Sequence, residues 1–297
     1  MSNDFDIFAT RTLEVHTTEL TASCMKAVQL RHEGKVLGET GQALFKGVVG
    51  HEVLRRMHLG LEIDDNPATI AYWAVDQQKR ENMPCSQSVI ANMLDYVAEV
   101  FAATEQYKQR LLANTVTIGC ELPVRATIEI DGEEVNFASH IDWLGKVDGV
   151  LTVRDWKFRE ERATRYYMQR NMQMAAYWWV LRNGQVNIGG EWFTMQQDVQ
   201  VELIDMWNLK PYGKKTSGID DNGEPREFQK GDTRPLHSIV HRGNFKDEGA
   251  FLSEFATRVR MMRAGLWPTN PDPQGCMTCQ SRTACPAFGW ENDDEII

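Results

Sequence analysis

Residues 134–157 read EVNFASHIDWLGKVDGVLTVRDWK, and this stretch decides the fold class. Two runs bearing Val and Ile flank Asp148-Gly149, and a third run, 115–128, leads into the first through Asp131-Gly132. Asp-Gly between apolar runs favours a two-residue hairpin turn, because both turn positions need a positive φ. An antiparallel meander is therefore expected, with strands over 115–128, 134–142 and 150–156. On this reading Asp142 ends the second strand and Asp155 the third. Pairing through the Asp148-Gly149 turn brings Asp142 near Asp155, and strand alternation puts Lys157 on the face of Asp155. Two carboxylates and an ammonium then meet at one sheet edge. Carboxylate oxygens suit Mg2+ or Mn2+. Such an ion can acidify a water and polarise a phosphoryl oxygen, and Lys157 can stabilise the negative charge that develops. Asp-x-Lys is common by itself; its place after a Val-rich strand gives it weight.

Working outward, residues 19–34 have helical character opening near Thr21. Residues 39–58 place Leu44, Val48, His51 and Leu54 at helical spacing. Asn66-Pro67 is a cap followed by Pro at the first helical position, leading into 68–80. Ser86 opens a long helix to about Ala113, with Val89, Met93, Tyr96, Val97 and Val100 on one side. Beyond the meander a helix is expected over 163–182, strands near 186–195 and 199–206, and a helix over 245–264. The segment 211–235, rich in Gly, Pro, Lys and Asp, predicts a long loop. The order predicts one α/β domain, 1–297: a helical N-terminal part (1–113), a mixed α/β core (114–210), an insertion with short elements (211–244), and a C-terminal helix with a Cys-bearing segment (245–297).

The 297 residues are 42% hydrophobic and 25% charged, enough for a sizeable core and unlike a disordered or collagenous chain. A net charge of −10 argues against a general nucleic-acid coat protein, but not against one local groove. No apolar run approaches the ~18 residues of a membrane span. The acidic N-terminus does not resemble a secretory signal, so a cytoplasmic chain without a membrane partner is expected, in a bacterial, archaeal or phage-infected host cell. One segment runs against the overall charge. Between Arg154 and Arg170 there are six basic residues, Arg154, Lys157, Arg159, Arg162, Arg165 and Arg170, against three acids. Tyr166 and Tyr167 are interleaved. Basic groups with aromatic platforms suit a single nucleic-acid strand, although the same charges would also serve a solvated, ion-paired helix face.

Three of the six Cys form a C-x2-C-x5-C pattern, Cys276, Cys279 and Cys285, followed by Pro286. Thiolates so spaced suit zinc or an iron–sulfur cluster. The fourth ligand must come from elsewhere, and Cys24 is the candidate. Cys85 and Cys120 read as small buried hydrophobes. Arg55, Arg56 and His58 read as a solvated helix face. His237 and His241, at i,i+4 spacing, read as structural. Gln173 and Tyr177 share a helix face beside the apolar Met172, Ala176, Trp179 and Val180.

Taken in order, these residues resemble the RecB-type PD-(D/E)XK nucleases, in the iron–sulfur branch that includes the AddB nuclease domain and CRISPR-associated exonucleases. The resemblance runs from Leu20 to Pro286: the Cys24 motif, Gly47-x3-His51, Ile141-Asp142, Asp155-Trp156-Lys157, Gln173-x3-Tyr177 and the Cys triplet. It departs at His140, where the family often has Gly, and at Met25, where it often has Pro. The resemblance implies a restriction-endonuclease-like core. It also implies a Mg2+- or Mn2+-dependent exonuclease acting on single-stranded DNA or DNA ends in recombination, repair or phage or CRISPR DNA processing. His51, Asp142, Asp155 and the Trp156 carbonyl would hold the ion. Asp142, Asp155 and Lys157 would be catalytic, with Gln173 and Tyr177 positioning the site and the strand. Arg159, Arg162, Arg165, Tyr166 and Arg170 would contact DNA. Cys24, Cys276, Cys279 and Cys285 would hold a structural [4Fe–4S] cluster, with structural Zn2+ as the other occupant. The competing reading is a non-catalytic DNA-end-binding or adaptor module that keeps the nuclease fold. A helicase, integrase or recombinase partner and a homo-oligomer are left open.

Overall fold

The computed structural model describes residues 13–16, 24–34, 39–64, 66–159, 171–207, 215–219, 225–230, 239–243, 245, 247–267, 279 and 285. A short strand, β1 (Glu14–His16), precedes four helices: α1 (Met25–His32), α2 (Gln42–Leu59), α3 (Pro67–Arg80) and α4 (Gln87–Leu111). The caps follow the sequence. The Asn66 side chain accepts from the Ala68 N–H with Pro67 at N1, and Ser86 accepts from the Val89 N–H. α2 ends at Gly60, in the left-handed region at φ 63°. α1 starts later than its periodicity predicts, with Cys24 as the N-cap.

The meander follows as β2 (Thr115–Ile130), β3 (Glu133–Val147) and β4 (Val150–Arg159). Asp131 and Gly132 stand at φ 57° and 81°, Asp148 and Gly149 at 49° and 82°, the paired positive values a two-residue turn requires. The registers start at Ile130↔Glu133 and Val147↔Val150. The strands outrun their predicted ends, so Asp142 and Asp155 lie inside β3 and β4. α5 (Met172–Asn183), the hairpin β5 (Gln185–Ile188) and β6 (Glu191–Phe193), and β7 (Gln200–Trp207) come next. The predicted loop 211–235 instead contains a separate hairpin, β8 (Thr216–Ile219) with β9 (Pro225–Phe228). β10 (Ile239–Gly243) and α6 (Glu248–Arg263) complete the described elements. His241 lies in β10, so the helical spacing read for His237 and His241 does not apply; His237 lies outside the described residues.

The main sheet runs β10-β7-β4-β3-β2-β5-β6, with β1 added beside β3. β4 and β7 pair in parallel. Both bury alternate residues on opposite faces, as strands covered on two sides do. Val153, Val201 and Leu203 join one core with α1, α5 and α6; Trp156, Phe158, Ile204 and Met206 join a second with α2, α3 and α4. The sheet is thus a middle layer between two helical layers.

β2 and β3 change the face they bury partway along. In β3, Val135, Phe137 and Ile141 belong to the α5–α6 core and Trp143 to the α2–α4 core. In β2, Leu122, Val124 and Ala126 pack toward α5–α6, and Cys120 packs toward the other helices. The β2 ladder also shifts register between Thr117 and Gly119. The face change in both strands falls at Glu121 and Asp142.

Gly50 sets how closely α2 approaches the sheet. A Cβ there would lie 2.1 Å from the Phe158 ring, whereas at Gly47 it would meet nothing within 4 Å. Ala at either position gains helix propensity of up to about 1 kcal/mol. Gly47→Ala should therefore be neutral or stabilising. Gly50→Ala should cost about 1–3 kcal/mol through overpacking. Urea unfolding of the two variants checks this, and equal midpoints would refute the close approach.

Candidate active site

β3 and β4 pair only as far as Trp143↔Arg154. Beyond that point β4 continues against β7 alone, and β3 pairs with β1 at residues 136–138. The strands fork, and Asp142 and Asp155 are the first residues past the last pair. The backbone N–H and C=O of Trp156 face the gap. The N–H donates to Asp142 Oδ2 at 2.8 Å, and the carbonyl accepts from His51 Nε2 at 2.9 Å. A side chain from β3 and one from α2 thus meet on the backbone of a single residue of β4.

With Nε2 committed to a carbonyl, His51 turns Nδ1 toward two carboxylates, Glu121 Oε1 at 3.5 Å and Asp142 Oδ2 at 3.7 Å. Burial works to lower the pKa of His51. The Asp142 charge and the Glu121 hydrogen bond outweigh it and raise the value to about 9. Ligand atoms of His51, Glu121 and Asp142 all lie within 4.8 Å of one another, the group among the described residues suited to a metal ion. Imidazole with carboxylates is a donor set that takes Mn2+ or Mg2+.

Asp155 is fully buried. Lys157 Nζ lies 2.9 Å from its Oδ1 and 2.7 Å from its Oδ2, the same-face placement that alternation predicts. Burial, supported by the Asp142 charge and opposed by Lys157, holds the Asp155 carboxyl above the usual carboxylate range. α5 closes the other side. Gln173 Nε2 donates to the Tyr177 hydroxyl at 2.8 Å, and that hydroxyl donates to the His140 carbonyl at 2.7 Å. Tyr177 is buried with its hydroxyl committed to β3. It braces the strand two residues before Asp142, and burial followed by the Asp155 and Asp142 charges keeps it protonated.

Behind the fork lies a buried polar network. Arg154 donates to Glu202 at 2.9 Å, to the Tyr107 hydroxyl at 3.0 Å and to the Leu111 carbonyl at 2.9 Å. Tyr107 in turn bonds His58 Nε2 at 2.8 Å, and His58 Nδ1 meets Thr117 Oγ1 at 3.2 Å. The His58 ring stacks on the Trp156 indole, with centroids 5.6 Å apart and planes 19° apart. This corrects the solvated-face expectation for His58, which is buried two helical turns from His51. Arg55 and Arg56 of the same group pair with the buried Glu52.

The sequence-derived residues His51, Asp142, Asp155, Trp156, Lys157, Gln173 and Tyr177 all come together here. Glu121 was missed, although a signal for it exists: the two-residue turn at Asp131-Gly132 places Glu121 opposite Asp142 by the count that places Asp142 opposite Asp155. Arg162, Arg165, Tyr166 and Arg170 lie outside the described residues, as does the Arg159 side chain. Cys24, Cys279 and Cys285 are half-buried and not disulfide-bonded, and Cys276 lies outside the described residues. Burial, then the nearby Glu121 charge, pushes the Cys120 thiol up to about 12; the side chain is half-buried, against the α2–α4 core, rather than fully buried as expected.

A forked mixed sheet with an acid on each tine and a lysine two residues past the second defines a nuclease-like hydrolase core. The chain belongs to the PD-(D/E)XK nuclease superfamily, whose family model matches residues 15–286. No curated protein matches it. Among solved structures it is similar to one described as "Crystal structure of SSO0001", at 13% identity and a TM-score of 0.39, over 94% of this chain and 88% of that one. That likeness is too slight to carry an argument about the site. No helix among the described residues is long and apolar enough to cross a membrane.

The two histidines give opposite pH signatures. Burial, then the Arg154 charge, lowers His58 from 6.5 to about 3. Its contribution to stability is level above pH 6.5 and is lost as pH falls from 6.5 toward 3. The raised His51 contributes fully below 6.5, and its contribution is lost as pH rises through about 9. Each slope is on the order of 1 kcal/mol per pH unit. In metal-free protein, His58→Phe should flatten the acid side of the stability profile and His51→Asn the alkaline side. Unfolding midpoints measured across pH 4–9 check both, and unchanged profiles would refute the assignments.

Proposed function

We propose that this chain is a Mg2+- or Mn2+-dependent DNA nuclease, acting as an exonuclease on single-stranded DNA or DNA ends. One observation carries the reading. His51, Asp142, Asp155 and Lys157 come from a helix and two strands to a single fork, where the Trp156 backbone is held by two of them. The preference for ends, and a setting in recombination, repair or phage or CRISPR DNA processing, rest on the family resemblance alone; the preference for single strands rests on it together with the basic, Tyr-bearing sequence 154–170.

The residues fit the implied ion. Asp142 is buried and presents its carboxylate beside His51 and Glu121 within ligand distance. His51, Asp142, Asp155 and the Trp156 carbonyl would hold the ion. When bound, it supplies positive charge to the scissile phosphate and acidifies the attacking water. Asp155 holds the Lys157 ammonium through Oδ1, and its buried Oδ2, without a hydrogen bond among the described residues, would be left for the ion. Lys157 then offers a hydrogen bond to a phosphate oxygen or to the water and stabilises the negative charge on the oxygens of the pentacoordinate transition state. Gln173 and Tyr177 keep β3 in place, so Asp142 does not shift as the strand binds. Arg159, Arg162, Arg165, Tyr166 and Arg170 are proposed strand contacts on charge and composition.

A [4Fe–4S] cluster on Cys24, Cys276, Cys279 and Cys285 is proposed on the Cys spacing and the resemblance, with structural Zn2+ as the other occupant. Phosphodiester hydrolysis moves no electron, so either centre would be structural.

The test is a cleavage assay on anaerobically purified protein with end-labelled linear and circular single-stranded DNA, with Mn2+, Mg2+ or EDTA. Metal-dependent loss of the linear DNA alone is expected. Lys157→Ala and Asp155→Ala should each lower the rate by at least about 100-fold at an unchanged fold. Loss of circles as well would replace the exonuclease with an endonuclease. Binding of DNA ends without cleavage would return the non-catalytic adaptor reading.

A further inference from the structure

His51, Asp142, Asp155 and the Trp156 carbonyl offer four ligand groups, and a hard divalent cation takes about six or more. Asp155 accepts from Lys157 through Oδ1 at 2.9 Å, its buried Oδ2 has no hydrogen bond among the described residues, and it stands outside the group of ligand atoms that converge within 4.8 Å. The second carboxylate in that group is Glu121. It comes from a third element, β2, and lies opposite Asp142 in the register between Cys120↔Trp143 and Leu122↔Ile141. Its backbone is at φ 51°, where a residue with a Cβ is strained by about 1–2 kcal/mol. It lies where β2 changes the face it buries, so the carboxylate reaches His51 rather than following the alternation of its neighbours.

We infer that Glu121 is a ligand of the divalent cation, contributed by β2 and lying outside the His, Asp and Asp-x-Lys motif positions. This rests on the metal-dependent nuclease reading above. The site then draws on α2, β2, β3 and β4, and the ion ties the β2–β3 hairpin to the fork. In the metal-free protein Glu121 pairs with His51. With the ion bound, its carboxylate turns from the imidazole to the metal.

The test is Mn2+ binding without DNA, by titration calorimetry and by the loss of the free-ion electron paramagnetic resonance signal. It compares the full-length wild type with Glu121→Gln, Glu121→Asp, Asp142→Asn and Glu129→Gln, an exposed β2 acid away from the site. The metal-free unfolding midpoint of each variant reports the fold. Asp142→Asn should abolish binding. Glu121→Gln should weaken it at least about tenfold, with Glu121→Asp between it and the wild type and Glu129→Gln unchanged. Wild-type affinity in Glu121→Gln with binding lost in Asp142→Asn would overturn the inference and leave the nuclease reading standing. Wild-type affinity in Asp142→Asn would overturn the metal site itself, and the nuclease mechanism built on it.

Discussion

Where β4 parts from β3, the Trp156 backbone has no strand partner on the open side, and a buried backbone left unpaired is costly. The protein satisfies it with the Asp142 carboxylate on the N–H and the His51 imidazole on the carbonyl. This pairing makes the fork a site. The two side chains that complete the backbone are also the ones whose remaining atoms face Glu121. Structural need and chemistry meet on one residue, and the geometry of the site is tied to the integrity of the sheet.

Much of the surrounding structure keeps that residue where it is. Gly50 lets α2 come close enough over Phe158 for His51 to reach the Trp156 carbonyl. From behind, His58 stacks on the Trp156 indole and is fixed through Tyr107 and Arg154 to Glu202 on the neighbouring strand. Arg154 and Glu202 are register partners, so the buried ion pair locks β4 to β7 just before the fork. Losing one partner of such a pair typically costs 3–5 kcal/mol, because the other charge stays buried. On the α5 side, Gln173 and Tyr177 hold the β3 backbone at His140. The network that shapes the site is thus spread over both helical layers, and few of its members are chemically reactive.

The meander was legible because Asp131-Gly132 and Asp148-Gly149 both announce two-residue turns, and a turn of known length fixes the register. From there Asp155, Lys157 and Asp142 fall together by counting. Asn66 and Ser86 were legible for a similar reason, since a cap is a local event. Glu121 follows from the same count but sits among other strand acids, and the change of face that points it at His51 depends on packing on both sides of the sheet. His58 looked like its neighbours Arg55 and Arg56 because helical spacing does not say which helix covers which face. The β8–β9 hairpin lies in a segment whose Gly, Pro and charge content signals loop. β1 and β10 are short strands whose pairing is set by distant partners, beyond what local patterns hold.

The central claim is that the Asp142–Trp156–His51 arrangement is the floor of a metal site. The most direct measurement is anomalous diffraction from a crystal of the full chain soaked in Mn2+. The account predicts an anomalous peak in the fork, bonded to Asp142 and to the Trp156 carbonyl or His51, with the strands otherwise unmoved. Bound Mn2+ found elsewhere, with the His51–Trp156 and Asp142–Trp156 hydrogen bonds intact and no peak between the carboxylates, would contradict it.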